Sequence, residues 1–232
     1  MIRSMLNEVE IFTKKFLECS QDKPVRIISH FDTDGITAAS ILARTFMRLD
    51  KKFTIRIVKG LDSQIIGEEL ARQPEETLLF ADLASGSLDY FQNLREPVFI
   101  LDHHEINQEL LNNNINIINP HLTDSFEDNN CTGAGAAYLF SKTISADNQD
   151  LASIAVIGIV GDRQEERLSN INKTIFNDAK GVTIRKGLLL YPSTRPLRRS
   201  LEYSTAPYIP GVTGNGPGVL ELLKETKLHE SK

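Results

Sequence analysis

Three short stretches place carboxylates and imidazoles directly behind apolar, β-rich runs. They are His30-Phe31-Asp32-Thr33-Asp34-Gly35 behind residues 25–29, Asp82 behind Leu78-Leu79-Phe80-Ala81, and Asp102-His103-His104 behind Val98-Phe99-Ile100-Leu101. A fourth acid, Asp162, ends the apolar stretch Gly158-Ile159-Val160-Gly161. His30, Asp32 and Asp34 lie two apart, so an extended stretch aims all three one way, and Gly35 permits a tight turn into a following helix. If the strands run parallel, the three groups emerge at one sheet edge, where open α/β sheets bind their ligands. Gathering Asp32, Asp34, Asp82, Asp102 and Asp162 in one pocket is costly. Two unit charges about 4 Å apart repel by about 4 kcal/mol at an effective dielectric near 20. Either several acids keep their protons or cations neutralise them. Carboxylate and imidazole donors without thiolates favour Mn²⁺ or Mg²⁺, and the histidines tilt the choice to Mn²⁺. Five acids exceed the need of one hard divalent ion; two ions sharing a carboxylate account better for the number. A single Asp behind a strand is most often a helix cap or turn residue. Repetition behind consecutive strands sets this pattern apart.

The elements that must position these groups follow from periodicity. Residues 1–20 carry Met5, Val9, Phe12, Phe16 and Cys19 at helical spacing, and Pro24 stops that helix. Strands are predicted over residues 25–29, 53–58, 77–81, 98–101 and 115–118, and helices over 35–49, 62–72 and 87–94. Residues 121–130 read as a polar, mobile stretch, and 132–145 and 150–161 as two further helices. Strand and helix alternate, which predicts an α/β fold with an open, mainly parallel sheet and helices on both faces. The near-continuous apolar runs TLLFA and VFIL are what strands buried on both sides require.

The chain has 232 residues and a formal charge of −5, with 41% hydrophobic and 25% charged residues. These are globular values that exclude wholesale disorder and collagen-like repeats. At about 150 residues per domain, one large domain or one and a half is expected. Cys19 and Cys131 stand far apart, which excludes a disulfide scaffold or zinc ribbon and fits a reducing cytoplasm. No apolar run approaches the roughly 20 residues that span a bilayer. Arg3, Glu8 and Glu10 near the N-terminus argue against a signal peptide. A cytoplasmic protein without a membrane partner is therefore expected. The negative charge argues against a nonspecific nucleic-acid coat, but not against an enzyme that gathers acids around metal ions. The charge is uneven, since residues 171–200 hold seven Lys or Arg against Asp178 alone.

HFDTDG, LLFADLASG, LDHH and VIGIVGD resemble, in order, the four motifs of the DHH phosphoesterase superfamily. The details are similar to its RecJ-like, single-strand-nuclease branch, especially the archaeal members: His30 and Asp32 flank one residue, and GITAA follows. The tail RPLRRSLEYSTAPYIPGVTGN resembles the segment that closes the catalytic domain there, so the resemblance covers about residues 20–225. It implies one DHH catalytic domain over residues 1–232, with an N-terminal helix over 1–20 and a basic, Pro/Gly-rich closing segment over 182–232. The DHHA1-type second domain, in which full nucleases carry a Gly-rich, His-containing nucleic-acid clamp, has no counterpart before Lys232. The resemblance further implies His30, Asp32 and Asp82 on one metal ion, and Asp34, Asp82, His103 and Asp162 on the other, with Asp82 bridging. Asp102 would orient the adjacent imidazole, and His104 would contact the scissile phosphate or assist the leaving oxygen. The implied activity is two-metal hydrolysis, with Mn²⁺ or Mg²⁺, of single-stranded DNA or RNA, or of short oligonucleotides. One alternative is a small-molecule phosphohydrolase acting on pyrophosphate, polyphosphate or cyclic dinucleotides, against which the first-motif spacing argues. Another is a replisome component whose partner is the GINS complex; a related replicative-helicase subunit keeps the fold with degenerate ligands, whereas no motif position is lost here.

Weaker signals complete the reading. Cys131-Thr132-Gly133-Ala134-Gly135 opens a helix whose N-terminus could seat a phosphate on Gly133 and Gly135, or simply pack closely on the sheet. Arg163, next to Asp162, is a candidate phosphate contact. Arg195, Arg198 and Arg199 could track a nucleic-acid backbone, or form a solvated face or a docking surface.

Overall fold

Strand alternation divides the apolar residues of the first half of the chain into two sets, and the fold is built on that division. In the computed structural model, which describes residues 4–183 and 195–229, β1 (Val25–His30), β2 (Phe53–Val58), β3 (Thr77–Ala81), β4 (Val98–Leu101) and β5 (Ile115–Ile118) form one sheet. Its order is β2-β1-β3-β4-β5 and every neighbouring pair is parallel. Helices α1 (Met5–Ser20), α2 (Thr33–Arg48), α3 (Ser63–Leu70), α4 (Phe126–Asn129), α5 (Gly133–Ile144), α6 (Ala152–Gly161) and α7 (Asn170–Asp178) accompany it. Val25, Ile27, Leu79, Ala81, Phe99 and Leu101 point to one side and join the buried faces of α1, α2, α5, α6 and α7. Ile28, Leu78, Phe80, Val98 and Ile100 point to the other, against Ile66 of α3 and Leu88 and Phe91 of a 3₁₀ stretch, Ser85–Phe91. The expected α/β architecture is therefore present, and all of its strands are parallel.

The larger core is centred on aromatic rings. Phe16 lies 5.1 Å from both Phe99 and Phe140, edge to face, and stacks 5.7 Å from Phe46. Replacing fully buried Phe16 with Ala should cost about 3–5 kcal/mol, to be read by urea denaturation. On the other side, buried Glu69 of α3 bonds Arg26 of β1 at 2.8 Å and Arg56 of β2 at 2.8 Å, tying the helix to the edge of the sheet.

The chain winds outward from β1 to β2, then crosses back to place β3 on the opposite side of β1. The C-terminal ends of β1 and β3 thus flank the point where winding reverses, the usual ligand crevice of such sheets. Elsewhere the elements differ in detail from expectation. The helix predicted over 87–94 is the 3₁₀ stretch already named, and the one predicted over 150–161 begins as a 3₁₀ turn, Ala146–Leu151, before α6. Residues 121–130, expected to be mobile, hold part of a 3₁₀ turn, Pro120–Leu122, and α4. Polar side chains in and just before this stretch serve as caps and ties: Asn119 Oδ1 accepts from the His121 amide at 2.9 Å, and Asn129 Oδ1 from the Met5 amide at 3.3 Å. Helix α7, not among the predicted elements, buries only Ile171 and Ile175 as apolar anchors.

The chain divides into two units, residues 1–182 and 183–232. The second holds α8 (Leu197–Glu202) and α9 (Gly216–Thr226) around a small core of Leu201, Val212, Val219 and Leu223. Residues 184–194 of the predicted closing segment lie outside the described residues. Among the described residues no helix is long and apolar enough to cross a membrane.

Candidate metal centre

The first motif straddles a strand-to-helix turn. β1 ends at His30, and Asp32 caps α2 by accepting from the Gly35 amide at 2.9 Å. Asp34 therefore lies in the first turn of a helix, not on an extended strand. Alternation along a strand is not what brings His30, Asp32 and Asp34 together; the capped turn is. The Asp34 side chain is fully buried and reaches the N-terminus of α5, where its oxygens accept from the Gly133 amide at 2.5 Å and the Ala134 amide at 3.0 Å. A carboxylate is favoured there by the partial positive charge of the helix end.

Asp82 follows β3 with φ of 59°, left-handed for a residue other than glycine, a strain that persists where surrounding structure imposes it. Its amide still bonds the Leu101 carbonyl at 2.8 Å. The carboxylate is 1% exposed, and neither of its oxygens has a hydrogen-bond partner. One of them, Oδ2, lies 3.5 Å from His30 Nδ1, and the other, Oδ1, lies 3.3 Å from His103 Nε2. The same His103 nitrogen is 3.1 Å from Asp162 Oδ2 and 3.7 Å from Asp34 Oδ2. His30 Nδ1 is buried and likewise unbonded, although Asp32 Oδ2 is 2.8 Å away.

Two three-residue groups thus meet at Asp82: His30 with Asp32 and Asp82, and Asp34 with His103 and Asp162. A third, Asp82 with His103 and His104, differs because His104 is committed elsewhere. Its Nδ1 lies 2.7 Å from Asp102 Oδ1. The resemblance assigned Asp102 to the adjacent imidazole; the ring it orients is that of His104, one residue further on. Buried Asp102 also accepts from the Ser85 and His103 amides, each at 2.8 Å, so it is saturated within the protein.

Electrostatics follow from burial. Burial raises the Asp82 carboxyl to about 9, with Asp34 adding to the effect against the opposing pull of His103. Burial also raises Asp34, and the Asp162 charge reinforces it. Burial pulls His103 down, but Asp162, Asp82 and Asp34 outweigh it and push the ring up to about 10. Burial opposes ionisation of Asp102, yet the bonds from His104 and Ser85 hold it below the ordinary range. The Asp102 bond in turn raises His104. Protons thus hold together a group of acids that divalent cations would hold instead. Orphaned buried oxygens on Asp82, an orphaned imidazole nitrogen on His30 and an all-oxygen-and-nitrogen donor set fit such ions.

This arrangement sets a pH dependence. Asp82 at about 9 against 3.8, and His103 at about 10 against 6.5, are both raised by folding. The stability they lend is complete below the ordinary values and lost as pH climbs through 9 and 10. Cations must displace those protons. The melting temperature without metal should fall between pH 6.5 and 9, and the rise caused by excess Mn²⁺ should grow over the same interval. At a hundredfold excess over Kd that rise is about 5–10 °C. A metal-induced rise that ignores pH would contradict the proton assignment.

Small residues shape the centre. A Cβ on Gly133 would sit 2.5 Å from the Asp82 Cβ, and one on Gly158 would sit 2.4 Å from Asp34 Oδ1. With the Gly133 amide already bonded to Asp34 and Gly135 buried and bonded to the Thr132 hydroxyl at 3.1 Å, this helix end has no opening for a substrate phosphate. The phosphate expectation for Gly133 and Gly135 is therefore replaced by close packing. Arg163 is exposed and lies 2.6 Å from Glu166. Arg195, Arg198 and Arg199 belong to the second unit, the latter two on α8. Asn119, which the sequence did not single out, pins the His104 segment by donating to the His104 carbonyl at 2.9 Å and the Ser85 hydroxyl at 2.9 Å. Its position directly after β5 was the available signal.

Residues 24–159 match the DHH family, N-terminal domain. The uncharacterized protein MJ0831 of Methanocaldococcus jannaschii is 31% identical over 98% of this chain and 54% of its own length. The crystal structure of exonuclease RecJ bound to manganese superposes with a TM-score of 0.59 at 20% identity, over 94% of this chain and 55% of the other. The crystal structure of CDC45 from Entamoeba histolytica gives a TM-score of 0.69 at 15% identity, over 100% of this chain and 53% of the other. The chain spans about half the length of each of these proteins.

Proposed function

We propose, from the premise that this chain belongs to the DHH family, that it is a metal-dependent phosphodiesterase acting on single-stranded DNA or RNA, or on short oligonucleotides. One observation carries the reading: both oxygens of buried Asp82 are unpartnered, and each faces a different imidazole. That is the disposition of a carboxylate shared between two ions. His30, Asp32 and Asp82 would hold one, and Asp34, Asp82, His103 and Asp162 the other, with Mn²⁺ preferred over Mg²⁺ because of the imidazoles. Bound divalent ions supply an activated water and neutralise charge on the phosphoryl oxygens.

The chain's own residues do the rest. Asp102 holds His104 by Nδ1, which leaves Nε2 to carry a proton toward the leaving oxygen. The ring is half exposed, as contact with substrate requires. Asp34 and Asp82 are walled from solvent on the sheet side, so their charge is directed at whatever occupies the centre. Arg163, next in sequence to Asp162, is assigned as a phosphate contact on charge alone, and its loss should flatten the salt dependence of binding.

The test is incubation of the protein with end-labelled single strands of graded length, with Mn²⁺ or with EDTA. Pyrophosphate, polyphosphate and cyclic dinucleotides are assayed in parallel. Metal-dependent shortening of the strands is expected. Hydrolysis of the small phosphates alone would overturn the reading. The intact donor set weighs against a purely structural, GINS-binding role, and a pull-down beside the hydrolysis assay separates the two.

A further inference from the structure

The chain leaves its last metal donor, Asp162, through Arg163, whose φ is 57°. The residues that follow wall a cleft of about 500 Å³ that the hydrolytic centre does not use. This volume falls in the roughly 300–1,000 Å³ range of small-molecule sites. One side is the 3₁₀ turn Gln164–Arg167 and the start of α7, with Arg167 and Lys173; the other is α4, with Phe126. Arg167 and Lys173 are both exposed, and among the described residues neither is paired with a carboxylate. Among the described residues Glu127 is the one acid in the lining. Phe126 is 39% exposed, and its ring lies 4.4 Å from that of His121 at 32°, which gives the ring a fixed backing. Two unpaired cations and an exposed ring lining one cleft stand out in a chain of net charge −5. Single-strand-binding surfaces combine these same parts, cations for the phosphates and a ring on which any base can stack.

We propose that this cleft is a nucleotide subsite, which takes one nucleotide of a single-stranded substrate whose scissile phosphate lies at the metal centre. The proposal rests on the phosphodiesterase reading above and adds to it a place for the neighbouring nucleotide. The base lies on Phe126 and the phosphate lies between Arg167 and Lys173. Because stacking and charge read no base edge, the subsite is indifferent to sequence.

The experiment compares the full chain with an Arg167→Glu/Lys173→Glu double variant and with Phe126→Leu, after melting curves show that each is folded. Each is assayed with Mn²⁺ on a labelled oligonucleotide and on bis(4-nitrophenyl) phosphate, which has no nucleotide to place. KM for the oligonucleotide should rise about tenfold or more in the double variant, and several-fold in Phe126→Leu. Its kcat and the hydrolysis of the small diester should not change. In EDTA, fluorescence anisotropy should show a salt slope smaller by about 0.7 for each phosphate contact removed. An unchanged KM in both variants would overturn the subsite and leave the phosphodiesterase reading standing. Should the unaltered chain hydrolyse neither substrate, it is that reading which fails. Anisotropy then decides the cleft: weaker binding by the variants supports it, and equal binding or none by the unaltered chain refutes it.

Discussion

Replacing Asp82 with Asn is expected to abolish Mn²⁺-dependent phosphodiester hydrolysis without unfolding the protein. The fall in kcat should be at least about 10³-fold, since losing a single electrostatic donor already costs about 10²–10³. Asp82 faces both three-residue groups at once, with Oδ2 toward His30 and Oδ1 toward His103, so its loss weakens both ion sites. Stability should respond in the opposite sense. The buried carboxyl keeps its proton to about pH 9 in the metal-free protein, and an amide has the size and neutrality of that protonated acid. The metal-free melting temperature should therefore already exceed that of the unaltered chain at pH 7, where only the unfolded state of the unaltered chain ionises this acid, and the gap should widen up to about pH 9. The rise on adding Mn²⁺ should shrink toward zero. Differential scanning calorimetry with and without metal, beside the hydrolysis assay, gives all three readouts. Undiminished turnover would defeat the bridging role.

The same residues show what periodicity can and cannot carry. Runs such as Thr77–Ala81 and Val98–Leu101 are buried along their whole length, so composition alone reveals them as interior strands. Once these strands are taken as parallel, the acids behind them must share an edge. Asp82, Asp102 and His103 were legible for that reason. Asp34 was legible as a participant but not in its geometry. Its position depends on Asp32 capping α2, which stops the strand at His30. Gly133 was ambiguous because a helix N-terminus welcomes a substrate phosphate and a protein carboxylate alike. Only the approach of α2 to α5 shows that Asp34 already fills the place. Asn119 and Ser85 act through individual hydrogen bonds at element ends, and such roles leave no repeating pattern to read. Helix α7 carries three Asn and one Asp in nine residues, a turn-favouring composition that masks its Ile171 and Ile175 face.

Replacing Asp102 with Asn tests a separate part of the chemistry, the proton held by His104. Asp102 accepts from the Ser85 and His103 amides and from His104 Nδ1 at 2.7–2.8 Å, so all that surrounds it donates. An asparagine turns its own N–H groups against one of these donors. It should cost about 1–3 kcal/mol of stability and leave the ring free to turn. The His104 pKa, raised by the Asp102 bond, should fall back toward 6.5. The ring then loses its proton at lower pH, and the descending, alkaline limb of the pH–rate profile moves to lower pH with it. On an oligonucleotide, whose leaving alkoxide needs a proton, kcat should fall about 10²-fold or more. On bis(4-nitrophenyl) phosphate the leaving group departs without one, and the loss should be several-fold at most. His104→Ala, at a half-exposed position, should reproduce this contrast. Parallel losses on both substrates would place Asp102 and His104 in the support of the metal centre, with no part in proton transfer. Full activity of His104→Ala on the oligonucleotide would remove the ring from the reaction altogether.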